Sequence, residues 1–534
     1  MSKAKRGVDP GESAKPGGSS GKRKDPQDSK DVRKNAKHGK HTKQKKKEKD
    51  RAPVGPADDQ ARSAPAAAPV GQRLYDMPYS AVAPRLISPE IGLHNLVTRA
   101  GHNAHYTIDV TLLDAPDHRL IRSGVLLAHR VLDGRGEWYL GAPDWQPALP
   151  AERIEPMGQA ELPEEFAELI RPFRRRAPLG PVAALSCERR EFALRDDRGG
   201  TLALLRDDKV TVRRGGLTTA RYREVMVTPM GGALNEEQAA YVARALANAG
   251  ATQVTRFPRL VTRLGAPATG PTDFPQPQSL DSDSTFAQFV SHLLAMRLRQ
   301  ILLADLAVRS SVARASADLA KGAGQLRLEL QGLASVVDVS WLEDLDEELL
   351  WVAGQVQREG PRSDADEAAV SSLLTRLRGE RYLTLLDRLV TATRAPQLGN
   401  ASALQASEVM GSLLNLAVGG VVKAAGRLTV ESATEDWQAT SAAFEELFRV
   451  SEVALHLLPD RVQRLRHRLG VATQLLEEAG KHGEAAERNR ALAARSSADD
   501  AFALGRAYEH ELAVARLARE AFVRRWAKTA KKLS

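Results

Sequence analysis

Leu112–Pro143 reads LLDAPDHRLIRSGVLLAHRVLDGRGEWYLGAP, and the architecture of the whole chain turns on this stretch. It opens with an Asp-Ala-Pro-Asp turn, continues as an alternating run over Ser123–Val131, and turns again at Asp-Gly/Arg-Gly. A second short run then passes through Trp138, Tyr139 and Leu140. Alternation places every second side chain on one face of a strand, and Asp-Gly supplies the positive backbone angles of a tight hairpin turn. The stretch therefore predicts two antiparallel strands.

Outward from this hairpin, residues 71–230 are strand-rich. Tyr106–Leu112 and Gly124–Val131 alternate, and Pro181–Leu194, Thr201–Leu205 and Lys209–Val212 follow, with Asp196–Gly200 as the clearest turn. A helix is expected over about Pro163–Arg171. Asn235-Glu-Glu-Gln238 offers a capping box for another that ends at Gly250. Residues 266–283, APATGPTDFPQPQSLDSD, read as a linker. Beyond it the apolar period changes from two to 3.6. Thr285-Phe-Ala-Gln288 caps a long helix, and helical patterns continue through 310–332, 341–357, 365–394, 403–425, 436–457, 460–479, 483–496 and 498–530. The fold class is α+β: an antiparallel sheet domain at 71–265, a linker at 266–283 and an all-α bundle at 284–534.

With 534 residues, the chain exceeds one core. Its net charge of +10 is unevenly spread, since Met1–Arg51 carries 18 Lys/Arg against 7 Asp/Glu, and this +11 leaves −1 for everything after it. Residues 1–70 lack Phe, Trp and Tyr, so they cannot bury enough surface to offset ordering and are expected to be a disordered Lys-rich tail. Lys43–Lys49 (KQKKKEK) would draw polyanions, nucleic acid included, by counterion release, without base readout. No run of about 18 apolar residues suggests membrane insertion. No secretory signal is visible either, which makes a cytoplasmic protein the expectation. The single cysteine, Cys187, excludes an internal disulfide and a cysteine-built zinc site. No P-loop, G-x-S-x-G elbow or H-E-x-x-H motif occurs, and His456 and His467 have no second histidine at i+4.

The order of pieces around the hairpin resembles the CYTH family, the triphosphate tunnel enzymes. That family sets a "YDTPD-x-x-L" turn, "G-x-x-L-R-x-R" and "W-x-L-K-L-P" on successive strands of an antiparallel barrel. The resemblance implies a tunnel whose inward arginines and lysines hold phosphates while glutamates hold magnesium or manganese. Here Leu127-Ala128-His129-Arg130 has lost the first arginine, and Gly141 stands where the lysine would be. No "E-x-E-x-K" occurs over 71–101. Arg153 and Glu155 match "R-x-E", Arg189 sits near the family's strand arginine, and Asp207-Asp208-Lys209-Val210 fits "D-D-x-V". Glu224-Val-Met226-Val-Thr228 keeps one carboxylate of three, and Arg259 stands in for a late lysine. The resemblance thus nominates Arg130, Arg153, Arg189, Lys209 and Arg259 for anion binding, with Glu155 and Glu224 as metal ligands only if the protein is active. Arg130, Arg153 and Arg189 could equally pair with Glu155, Glu188 or Glu191 across strands.

The helical half resembles the CHAD domain, through Leu302–Arg309 (LLADLAVR), Trp341–Val356, Gly379–Leu386 (GERYLTLL), Leu465–Gly470 (LRHRLG), Phe502–Gly505 and Trp526. CYTH followed by CHAD is a known pairing. The family's bundle binds inorganic polyphosphate in a basic groove built from "H-x-x-R-V-A-x-R-R-L-R" and "H-x-x-R-K-x-x-K-R-L-R-Y", whose cations stack at three- and four-residue spacing. The first signature aligns with Ala317–Arg327, where only Arg327 survives at its site and Lys321 is added beside it. The second aligns with Ser441–Glu452, where Arg449 is kept while Glu445 and Glu452 bring negative charge.

This erosion points to a non-catalytic protein that binds polyphosphate or another linear polyanion and needs no cofactor. A metal-dependent triphosphatase of the tunnel class, using magnesium or manganese, is the alternative. A protein-interaction scaffold is a second one.

Overall fold

The computed structural model describes residues 71–99, 104–158, 161–230, 234–277, 279–312, 314–357 and 365–533. The Lys-rich tail lies outside them. Ten strands form one antiparallel sheet: β1 (Arg73–Met77), β2 (Asn95–Thr98), β3 (His105–Asp114), β4 (Leu126–Leu132), β5 (Arg135–Gly141), β6 (Glu152–Pro156), β7 (Gly180–Arg195), β8 (Thr201–Arg214), β9 (Leu217–Pro229) and β10 (Thr252–Val254). Their order is β10-β1-β9-β8-β7-β3-β4-β5-β6, with β2 beside β7. Four helices accompany the sheet: α1 (Arg119–Arg122), α2 (Glu164–Arg174), α3 (Glu236–Asn248) and α4 (Leu260–Leu264).

The expected hairpin is β4 and β5, paired from Leu126↔Gly141 to Leu132↔Arg135. Its turn places Asp133 at φ 49° and Gly134 at φ 76°, the two positive angles that make Asp-Gly the natural choice. The Asp-Ala-Pro-Asp turn is fixed by the buried Asp114 carboxylate, which accepts N–H bonds from Ala115 at 2.6 Å, Leu120 at 3.0 Å and Ile121 at 2.9 Å. The two short runs expected at 201–205 and 209–212 are one strand. Asp207 and Asp208, which lie between the two runs, are each paired to an arginine on a neighbouring strand.

The helical half contains α5 (Phe286–Arg309), α6 (Ala315–Gln331), α7 (Val339–Gln357), α8 (Ala365–Arg378), α9 (Glu380–Arg394), α10 (Ala406–Ala425), α11 (Thr434–Ala454), α12 (Pro459–Ala493) and α13 (Ala498–Ala530). Both capping boxes form, at Asn235/Gln238 and at Thr285/Gln288. The helix expected over 365–394 breaks at Gly379. The two expected over 460–496 are a single helix, because each of Gly480 and Gly483 costs only about 1 kcal/mol and the buried stripe Leu469, Ala472, Leu476, Ala479 and Ala486 runs past both. Among the described residues α10 alone is long and apolar enough to cross a bilayer by length and composition, although Glu408, Asn415 and Lys423 interrupt its apolar run. Val409, Met410, Leu413, Leu414 and Val421 are among the residues it buries in the bundle.

The sheet and the bundle share one core. Leu127, Trp138, Leu140, Trp145, Phe166 and Phe173 belong to the same cluster of buried side chains as Phe286, Phe289, Leu293 and Leu386. Around it runs a set of buried charges. Arg309 of α5, its side chain fully enclosed, bonds Asp305 at 2.9 Å and Glu168 of α2 at 2.9 Å. Arg175, just past α2, pairs with Asp273 and with Asp387 of α9. Within the linker, Phe274 is buried edge-on against Trp145 and Phe173.

Candidate anion-binding site

Strand alternation sorts the expected tunnel residues. Leu112, Ala128, Tyr139, Leu185, Val210, Val212 and Leu264 fill much of the concave face as a second apolar core. On the same face the register aligns Asp76, Glu224, Asp208, Arg189 and Tyr106 in one row across β1, β9, β8, β7 and β3. Arg189 and Arg130 point to this face. Arg153 and Glu155 pair with Leu140 and Trp138, one residue out of phase, so both face α2 on the other side. Lys209 likewise shares the opposite face with Asp207 and lies 5.9 Å from the Tyr79 ring. Arg259 is on no strand; it precedes α4 and lines a cavity at the junction with the bundle. The inward set is therefore smaller than the sequence suggested, because motif spacing does not report register.

The inward arginines are matched by carboxylates. Arg189 makes a two-pronged pair with Asp208, at 2.8 and 3.0 Å, and donates to the Tyr106 hydroxyl at 2.9 Å. Arg206 lies 3.2 Å from the same Asp208. Arg263 of α4 reaches Asp76 at 3.1 Å and Glu224 at 3.5 Å. Arg130 donates to Glu137 at 2.8 Å, lies 3.7 Å from Glu152 and sits over the Tyr139 ring. Burial, helped by the nearby Asp208 and Asp76, pushes Glu224 up to about 7 in spite of Arg263. Asp76, Arg206 and Arg263 escaped sequence reading. The alternation of Arg73–Met77 was the available signal for Asp76, whereas nothing local marks Arg263.

The two possible metal ligands are separated. Glu224 faces inward on β9 while Glu155 bonds Arg153 at 2.7 Å on the outer face of β6. Among the described residues no group of three or more His, Cys, Asp or Glu side chains is arranged to hold a metal ion.

In the bundle, Lys321 is exposed on α6, Arg327 pairs with Asp346 of α7 at 2.9 Å, and Arg449 pairs with Glu446 at 2.9 Å. Between α6 and α11 the charge is negative and already met. Burial works against the charge on Glu329, but His456, Arg297 and Gln325 outweigh it and hold its pKa below the ordinary value. Gln325 also bonds Glu452, which pairs with Arg466.

A different cationic surface lies at the base of the α12–α13 hairpin. Val462, Leu465 and Leu469 bury one face of α12, and Phe522, Trp526 and Thr529 bury one face of α13, where Phe522 and Trp526 pack on Trp437 and Phe444 of α11. The solvent face of α12 carries Arg461, Arg464 and Arg468, and that of α13 carries Arg525 and Lys528, followed by Lys532 in the turn just past its end, each row at i, i+3, i+7. Arg468 donates to the Lys532 carbonyl at 2.7 Å, so the two antiparallel rows meet end to end. None of the six pairs with a carboxylate among the described residues; Arg461 bonds the Asn415 amide instead. Their three- and four-residue spacing is visible in the sequence, away from the two family signatures.

No family model matches the chain. Over 492 residues it is 25% identical to the uncharacterized proteins MT2285 and Rv2226 of Mycobacterium tuberculosis, which covers 81% of this chain and 92% of theirs. Among solved structures it is similar to PptA from Streptomyces chartreusis, with 18% identity, 46% of this chain and 100% of that one covered, and a TM-score of 0.34. It is also similar to the CHAD domain from the plant Ricinus communis, with 16% identity, 47% and 95% coverage, and a TM-score of 0.33. In its order of parts, an antiparallel sheet half followed by a helical half, the chain is similar to CYTH–CHAD proteins.

Proposed function

We propose that this chain is a non-catalytic, cytoplasmic binder of a linear polyanion, with inorganic polyphosphate as the first candidate. The observation that supports this best is the pair of cation rows Arg461/Arg464/Arg468 and Arg525/Lys528/Lys532, exposed and without carboxylate partners among the described residues. A row at this spacing runs along a helix at about 1.5 Å per residue and can follow a chain of phosphates. The inward arginines of the sheet are by contrast occupied by Asp208, Glu137 and Asp76, and a phosphate would have to displace those carboxylates. The Lys-rich tail adds non-specific attraction, nucleic acid included. The test is a gel shift with long-chain polyphosphate at moderate salt, comparing the full chain, residues 71–534 and a variant with R464Q, R468Q, K528Q and K532Q. The shift is expected to survive removal of the tail and to weaken in the variant. No shift by either length of the chain ends this reading.

A second reading, a metal-dependent triphosphatase, would have to draw on Asp76, Glu224 and Asp208, which share one cross-strand row but are paired with Arg189 and Arg263 and are not arranged to hold a metal ion. Phosphate release from tripolyphosphate with added magnesium or manganese, lost in E224Q, would favour it.

A further inference from the structure

We propose that a cavity of about 370 Å³ where sheet and bundle meet binds a small organic anion with a flat apolar body. Its walls come from the turn between α1 and β4, the segment around Trp145, residues 259–276 and the α5 residue Arg299. Three arginines, Arg122, Arg259 and Arg299, line it, and none of them pairs with a carboxylate side chain among the described residues. Other arginines at this junction are met by acids, as Arg175 is by Asp273 and Arg309 by Glu168.

Two of the three are aimed by neutral backbone. Arg122 Nε donates to the Pro267 carbonyl at 2.8 Å, and Arg299 Nη2 donates to the Asp144 carbonyl at 3.0 Å while its guanidinium lies 4.0 Å from the Trp145 ring centroid. A guanidinium has five N–H donors, so each keeps donors for a further partner. Burial lowers the pKa of Arg299, and Asp144 opposes it only through space. The Arg122 guanidinium lies directly on Gly270, where a Cβ would come within 2.6 Å of Cζ; glycine leaves the arginine its place. Arg122 and Arg299 are part-buried, and part-buried cations are costly unless an anion completes them; arginine forks suit the oxygens of a phosphate or carboxylate. Trp145, Phe274 and Leu260 give the lining a flat apolar side, while Ser123, Thr269, Thr272, Gln276 and the carboxylate of Asp144 make the rest of it polar. The volume lies at the lower end of the range for small-ligand sites, about 300–1,000 Å³. A long phosphate chain has no apolar part, so this site is separate from the cation rows and does not depend on them.

The experiment is calorimetric titration of the full chain with 1-naphthyl phosphate, with 1-naphthol and with inorganic phosphate. One molecule of naphthyl phosphate is expected per chain, with each of the other two at least about tenfold weaker. Arg259 is exposed, so R259Q tests the charge without disturbing packing, and G270V displaces Arg122 from the cavity. Both are expected to weaken naphthyl phosphate by about tenfold or more with the thermal unfolding midpoint of R259Q unchanged. Absence of saturable binding, equal binding of 1-naphthol, or an affinity in R259Q and G270V within about twofold of the parent overturns the assignment.

Discussion

Neutralising Arg464, Arg468, Lys528 and Lys532 together has a consequence that can be worked out before it is measured. Each cation that meets a flexible polyanion releases a counterion, which lowers the slope of log K against log salt by about 0.7 for a single-stranded chain. Four exposed, unpartnered cations therefore account for a slope of about 3, and at ~0.15 M salt for roughly 200-fold in affinity. These side chains point to solvent, away from Leu465, Leu469, Phe522 and Trp526, so replacing them by glutamine leaves the packed faces untouched. Fluorescence anisotropy of labelled polyphosphate, read from about 50 to 400 mM potassium chloride on residues 71–534, measures both quantities. R327Q is the control. Its guanidinium is already committed to Asp346, and the slope is expected to change by less than about 0.5. A quadruple variant whose slope falls by less than about 1 would refute the assignment of polyanion contact to this surface.

Three further outcomes follow from other parts of the molecule. Because Glu224 is raised to about 7 in the folded chain, the folded state holds its proton more tightly than the unfolded one. Stability should therefore fall as pH rises from about 4.5 to 7, by at most about 3 kcal/mol, and urea unfolding of E224Q should lack that decline. R309M leaves Asp305 and Glu168 without their shared cation in the junction and should cost about 3–5 kcal/mol in denaturant unfolding, with D305N partly restoring it. W145A removes a side chain that is 1% exposed and edge-packed on Phe173 and Phe274, and should cost about 3–5 kcal/mol by the same measure.

How much of this was written in local sequence depends on the range of the interaction. Asp133-Gly134 dictated its turn, and Asn235/Gln238 and Thr285/Gln288 their caps, because each device is closed within four residues. Gly480 misled in the other direction: its helix is held by packing against α13 along the whole stripe, which no local propensity records. Arg153 and Lys209 match family spacings yet face away from Arg189, since a face is set by register with neighbours far along the chain. Arg263 meets Asp76 across 187 residues, and no window of sequence contains both. The row on α12 and α13 was legible as spacing, but its exposure and its lack of acids were not.

The joint core has a practical outcome for anyone handling this protein in pieces. Trp138, Phe166 and Phe173 on one side and Phe286 and Phe289 on the other are wetted together if the chain is cut between them. A calorimeter should thus record a single melting event for residues 71–533, and either fragment expressed by itself should precipitate or recruit a detergent.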